Sequence, residues 1–207
     1  MSDTPYNIPA APVCVEEEIK KSRFITYLAH TPSVEAAKAF VDEIRLKHRD
    51  ARHNCWGFVA GRPEDSMKWG FSDDGEPSGT AGKPILAQLS GSGVGEITAV
   101  VTRYSGGIKL GTGGLVKAYG GGVAQALKVL DTLAKQITER VEIRCAYSQV
   151  ADVESLLKQF QGNLLHASYE QDVVLEYELD KRVVQEFSAR LFERSSGSLT
   201  AVVIEND

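Results

Sequence analysis

Eight of the twenty residues at 103–122, RYSGGIKLGTGGLVKAYGGG, are glycine. Nothing else in the chain limits its folding as strongly, because glycine loses more conformational freedom on ordering than any other residue and brings no side chain to bury. The segment follows an apolar strand pattern, ITAVVTRY, and leads into a helical stripe of Leu115, Val116, Tyr119, Val123, Leu127 and Leu130. The order is strand, glycine loop, helix start.

Gly120, Gly121 and Gly122 fall inside the helix predicted for 112–131, where together they cost roughly 2 to 3 kcal/mol relative to alanine. Close packing offsets such a cost, since a helix without Cβ atoms can lie almost in contact with what it covers. Two readings apply to the earlier glycines. In one, Gly106, Gly107, Thr112, Gly113 and Gly114 bind an anion, with Thr112 also capping the helix and Gly113 and Gly114 leaving its first-turn amides bare. Arg103, Lys109 and Lys117 would add positive charge around that mouth. In the other, the glycines make a tight turn and a packed helix start. Neither common nucleotide fingerprint is present: Gly111-x-Gly113 is followed by Val116 where glycine is required, and Gly82-Lys83 is followed by Pro84.

A second stretch, GFSDDGEPSGTAGKPIL, lies in a polar run at 61–80 that is long for a connection inside a compact domain. Asp73, Asp74 and Glu76 supply three carboxylates in four positions, enough for a Mg²⁺ held partly by water or phosphate, and Lys83 could meet that phosphate. The competing reading is a solvated turn with aspartate capping. Both loops end in helix starts, so we expect them to form one anion-facing cleft. His53 and Cys55 share a strand face, the minimum for a thiol activated by an imidazole, against the plainer reading of a buried cysteine. His30, His48 and His166 read as surface or cap residues.

The rest of the 207-residue chain frames these loops. Strand patterns at 141–147, 164–170, 173–180 and 199–205 alternate with helical stripes through Val153, Leu156 and Phe160 and through Val184, Phe187, Leu191 and Phe192. That order, β-α-β-β-α-β, predicts a ferredoxin-like C-terminal domain with Tyr147 on the inner face. The N-terminal part predicts strands at 13–20, 23–30, 54–61 and 96–104, with a helix opening at Thr31-Pro32, and is α+β. The polar stretch 131–140 has no period of its own, which places the boundary near 136: domains 1–136 and 137–207. Residues 1–136 carry sixteen Lys or Arg against fifteen Asp or Glu, and 137–207 carry seven against thirteen. An anion is therefore expected at the first domain. The three scattered cysteines suggest neither a disulfide framework nor a zinc ribbon, and no basic, apolar leader or long apolar run occurs. The expectation is a cytoplasmic protein without a membrane span.

KKSRFI (20–25), SDDGEPSGTAGKP (72–84) and RYSGGIKLGTGGLVKAY (103–119) together closely resemble the IMPACT family, in its bacterial YigZ branch. The resemblance spans nearly the whole chain. It implies an N-terminal fold like the second domain of a small-subunit ribosomal protein, also similar to domain four of elongation factor G. The C-terminal domain is then similar to that factor's domain five. It further implies a connection to translation, since eukaryotic relatives restrain the amino-acid-starvation kinase by competing for its activator protein. With no complete catalytic set in the sequence, the leading expectation is a non-enzymatic regulatory or binding protein acting through RNA, the ribosome or a protein partner. The alternative is a Mg²⁺-assisted hydrolase or transferase on a phosphorylated small molecule, using the two loops.

Overall fold

A computed structural model describes residues 3–204, which divide into a unit spanning Tyr6–Lys135 and a second running from Gln136 onward together with the residues up to Pro5. The first unit contains β1 (Tyr6–Pro9), β2 (Val13–Ile19), β3 (Ser22–His30), α1 (Val34–Lys47), β4 (His53–Val59) and β5 (Trp69–Ser72). It continues with α2 (Gly82–Gly91), β6 (Ile97–Tyr104), α3 (Thr112–Lys128) and β7 (Thr132–Lys135). Five strands form an antiparallel sheet in the order β2-β3-β6-β4-β5, and β1 pairs with β7 in a separate ribbon.

Alternation along the strands sorts the two sheet faces. Phe24 and Leu28 of β3, Cys55 and Val59 of β4, and Ile97, Ala99 and Val101 of β6 pack with Ile85 and Leu89 of α2 and Leu115, Tyr119 and Val123 of α3. On the other face, α1 sets Ala37 against Phe58, and Val41 and Ile44 against Val100. The central strand β6 is covered on both sides, which is why ITAVVTRY is buried along nearly its whole length and does not alternate. Helix α3 crosses β3 closely at one point. A Cβ on Gly122 would lie 2.6 Å from Thr26 Oγ1, whereas one on Gly120 would make ordinary contact with Pro84 at 3.6 Å and one on Gly121 would meet nothing within 4 Å. Close packing thus accounts for Gly122 and not for its two neighbours.

Several boundaries depart from the sequence pattern. Helix α1 is capped by Ser33, whose hydroxyl accepts from the Ala36 amide at 3.1 Å. Thr31 is instead buried, with its hydroxyl 2.6 Å from that of Thr98. The polar run at 61–80 contains a 3₁₀ turn, Ser66–Lys68, and the edge strand β5, too short at four residues to show a period. Ribbon strand β7 and the start of the next strand occupy the stretch that lacked a pattern, because exposed Leu133 breaks the expected burial.

The second unit contains β8 (Thr138–Cys145), α4 (Val150–Gln159), β9 (Asn163–Tyr169), β10 (Val173–Asp180), α5 (Val184–Arg194) and β11 (Ala201–Ile204). Its antiparallel order, β11-β8-β10-β9, is that of a ferredoxin-like sandwich. Val141, Ile143, Cys145, Val173, Leu175, Tyr177 and Leu179 face Val153, Leu156, Leu157, Phe187 and Leu191 in one core. Tyr147 and Phe192, expected inside, are 56% and 53% exposed, because Tyr147 lies in a 3₁₀ turn beyond β8 and Phe192 falls off the buried stripe of α5. Glu205, the expected end of the last strand, lies outside the described residues. Among those residues no helix is long and apolar enough to cross a membrane.

The two adjacent glycines of α3 should respond oppositely to the same substitution. Gly121→Ala gains helix propensity in open space and should stabilise the protein by about 0.5 to 1 kcal/mol. Gly122→Ala should destabilise it by about 1 to 3 kcal/mol through overpacking against Thr26. Urea denaturation of the two variants measures both.

Candidate functional site

Strand β2 turns into β3 through only two residues, since Ile19 pairs with Ser22. Those residues, Lys20 and Lys21, have φ of 49° and 61°, the arrangement of a type I′ hairpin turn that Asn-Gly normally fills. The tip rests on the glycine loop so closely that a Cβ on Gly106 would lie 1.9 Å from the Lys21 carbonyl oxygen. The Gly106 amide donates to the Ser22 hydroxyl at 3.2 Å. Lys109 is exposed on the same loop and Lys117 on the helix that follows it. None of these four lysines has a carboxylate partner among the described residues.

The expected anion contact Arg103 is not at this surface. It is 8% exposed and donates from Nη1 to Glu76 Oε1 at 2.8 Å, while the Tyr119 hydroxyl donates to the same oxygen at 2.6 Å. Its Nη2 lies 3.4 Å from the Ser22 hydroxyl, and its guanidinium lies over the Phe24 ring, leaving Nε without a partner. The polar loop therefore meets the end of β6 and the middle of α3 through a buried ion pair and a tyrosine hydroxyl, not across an open mouth.

The three carboxylates expected to hold Mg²⁺ are each committed elsewhere. Asp73 accepts from the amides of Gly79, Ala81 and Gly82 at 2.8, 3.0 and 2.8 Å, filling the start of α2. Burial works against its charge, but those amides and nearby Lys83 outweigh burial and hold its carboxyl below the usual aspartate range. Asp74 accepts from Arg45 at 2.9 Å and the Asn54 amide at 2.7 Å. Glu76 is taken by Arg103 and Tyr119. Among the described residues no group of three His, Cys, Asp or Glu side chains is placed to hold a metal ion. Asp73, Asp74 and Glu76 each accept from partners within the fold, where the sequence reading set them around a Mg²⁺.

The two helix starts also differ. Asp73 occupies that of α2, so exposed Lys83 stands beside a carboxylate. Helix α3 is preceded by Gly111 at φ 75° as its cap, not by Thr112, and has neither a side-chain cap nor an acidic residue in its first turn. A Cβ on Gly113 would meet nothing within 4 Å, one on Gly114 would press on Leu110 Cβ at 3.2 Å, and Gly107 turns the loop at φ 79°. His53 and Cys55 do share a face, yet the pair is not an activated thiol. His53 Nδ1 lies 2.9 Å from the Asp74 carbonyl, Cys55 donates to the Asp73 carbonyl at 2.9 Å, and burial pushes the thiol far up from its ordinary value. Lys20, Lys21 and Ser22 were visible in KKSRFI only as a motif. Tyr119 read as core.

The fold and this arrangement define a two-domain α+β protein whose N-terminal unit presents lysines on a glycine-braced hairpin. Residues 20–127 match the Impact N-terminal domain, and 143–198 match a domain of unknown function (DUF1949). The chain belongs to the IMPACT family. It is 61% identical over 198 residues to the IMPACT family member YigZ of Escherichia coli (strain K12), covering 96% of this chain and 97% of that one. To an IMPACT family member of Haemophilus influenzae it is 49% identical over 200 residues, covering 97% of each. A solved structure described as a hypothetical protein shares 59% identity and a TM-score of 0.71, covering 98% of both chains.

Two measurements probe this network. Asp73→Ala should cost about 1 to 2 kcal/mol at neutral pH. A carboxyl held below its ordinary value contributes fully above about pH 4 and loses that contribution as pH falls through its folded value, so the gap to wild type should close on acidification. Arg103→Met and Glu76→Gln should each cost roughly 3 to 5 kcal/mol by leaving one buried partner alone. The double variant should cost clearly less than their sum in a denaturation cycle.

Proposed function

We propose that this protein is a non-enzymatic binding protein acting around translation, and that its N-terminal unit grips ribosomal RNA through the lysine rim. The observation that carries the reading is the Lys20-Lys21 turn. Left-handed backbone costs a residue with a side chain about 1 to 2 kcal/mol, and here two consecutive lysines adopt it at the tip of a hairpin held against the glycine loop. Asparagine and glycine would make the same turn at lower cost but without charge. Two ammonium groups on a braced, exposed turn suit contact with phosphates. Family membership supports the connection to translation. The Mg²⁺-assisted hydrolase or transferase reading has less support, because its carboxylates are engaged by Arg103, Arg45 and backbone amides.

Lys20→Asn/Lys21→Gly separates charge from fold. It should stabilise the protein by about 1 kcal/mol while weakening co-sedimentation with ribosomal particles. The dependence of log affinity on log salt should become shallower by roughly 0.7 to 0.9 for each phosphate that the variant leaves unneutralised. Wild-type protein that binds neither ribosomes, subunits nor structured RNA at low salt rules the proposal out.

A further inference from the structure

A second set of side chains lies beside the lysine rim, on the sheet face that carries α1. Arg23 follows the hairpin tip directly and pairs in register with Tyr104 at the end of β6. His48, the residue that ends α1, bridges two tyrosines, with Nε2 2.7 Å from the Tyr27 hydroxyl and Nδ1 2.8 Å from the Tyr104 hydroxyl. The three rings are half-buried at centroid distances of 5.6 and 5.8 Å, with His48 tilted 44° from Tyr27 and set nearly edge-on, at 73°, to Tyr104, so the two tyrosines present separate faces. Each tyrosine carries an exposed cation over its ring: Arg23 lies 5.6 Å from the Tyr104 centroid and Lys47 lies 4.9 Å from that of Tyr27. Those cations mark the ring faces as reachable from solvent.

This arrangement does more than fasten the end of α1 to the sheet. Helix α1 packs on β4 and β6, and at its end the hydroxyls of Tyr27 and Tyr104 meet one histidine, which fixes the rings while Arg23 and Lys47 lie over their faces. Arg23 is also paired with Glu16, whereas Lys47 has no carboxylate partner among the described residues. Aromatic faces next to lysines without carboxylate partners are the two components of single-strand recognition: stacking for bases and charge for the phosphates between them.

We infer that the ring faces of Tyr27 and Tyr104, oriented by His48 between them, form a stacking platform for unpaired bases of a single-stranded RNA segment, whose phosphates run over Lys47 and the Lys20-Lys21 tip. The inference rests on the RNA reading above and names the form of RNA recognised. A base entering the platform takes the place of the Arg23 or Lys47 side chain over a tyrosine, and the displaced cation turns to the phosphates. Stacking tolerates any base, so recognition follows strand form and not sequence.

The probe is a short oligoadenylate carrying 2-aminopurine, with a blunt RNA duplex as comparison and thermal melts to confirm that each variant is folded. The single strand should bind more tightly than the duplex, with its fluorescence quenched on binding. Tyr27→Leu and Tyr104→Leu should weaken binding by roughly 5- to 100-fold each and relieve the quenching. Tyr27→Phe and Tyr104→Phe should keep both, since the rings remain. Equal binding of duplex, or Phe variants as impaired as the Leu variants, overturns the platform. If the Leu variants bind and quench as wild type does while Lys20→Asn/Lys21→Gly loses binding, the platform falls and the lysine rim stands. A wild-type protein that binds no RNA overturns both.

Discussion

The N-terminal unit is organised around one carboxylate. Glu76, whose side chain is 4% exposed, receives Arg103 from β6 and the Tyr119 hydroxyl from α3 on a single oxygen. A charge in that position is tolerable only with a cation and hydrogen-bond donors around it, so the loop bearing Glu76, the end of β6 and the middle of α3 must come together or all lose their partners. With Glu76 anchored, Asp73 three residues earlier is held at the start of α2, and Asp74 between them reaches Arg45 of α1.

This internal use of acids changes what the near-neutral charge of residues 1–136 means. Asp73, Asp74 and Glu76 are turned toward amides, arginines and a tyrosine, and Glu96 toward Tyr6, His30 and Lys135. Lys20, Lys21, Lys109 and Lys117 face solvent without such partners. The unit's net charge is close to balance; four of its carboxylates are engaged by internal partners, while Glu16 and Glu18 are exposed on β2 beside the hairpin tip and Glu16 pairs with Arg23. The contrast between the two helix starts has the same origin: α2 is satisfied by the chain's own carboxylate, and α3 is not.

The hairpin tip shows local preference giving way to placement. A Lys-Lys pair is a poor choice for left-handed backbone, and Gly106 is needed only because the Lys21 carbonyl lies where a side chain would start. Each makes sense given the other. From that contact the chain runs through Ser22, which bonds the loop, to Arg23 beside Tyr104, so the charged tip leads onto the sheet face that carries α1 and the tyrosines.

The ferredoxin-like unit was readable from sequence because its sheet is covered on one face, so that residues such as Val173, Leu175, Tyr177 and Leu179 alternate strictly with polar neighbours. The main strands of the first unit and the glycine loop were readable for similar reasons, whereas β1, β5 and β7, at four residues each, are too short to carry a period. The residues of the candidate site were also visible as chemical types, but not their roles. Arg103 looked like an anion contact and Glu76 like a metal ligand, yet they neutralise each other across 27 residues of sequence. His48 looked like a lone cap, yet it joins tyrosines 21 and 56 residues away. Periodicity is a local property that sequence determines by itself. Whether a charge or a ring meets solvent or another side chain is decided only when the sheet brings distant segments together, because burial and pairing, not residue type, set the free energy of an ionised group.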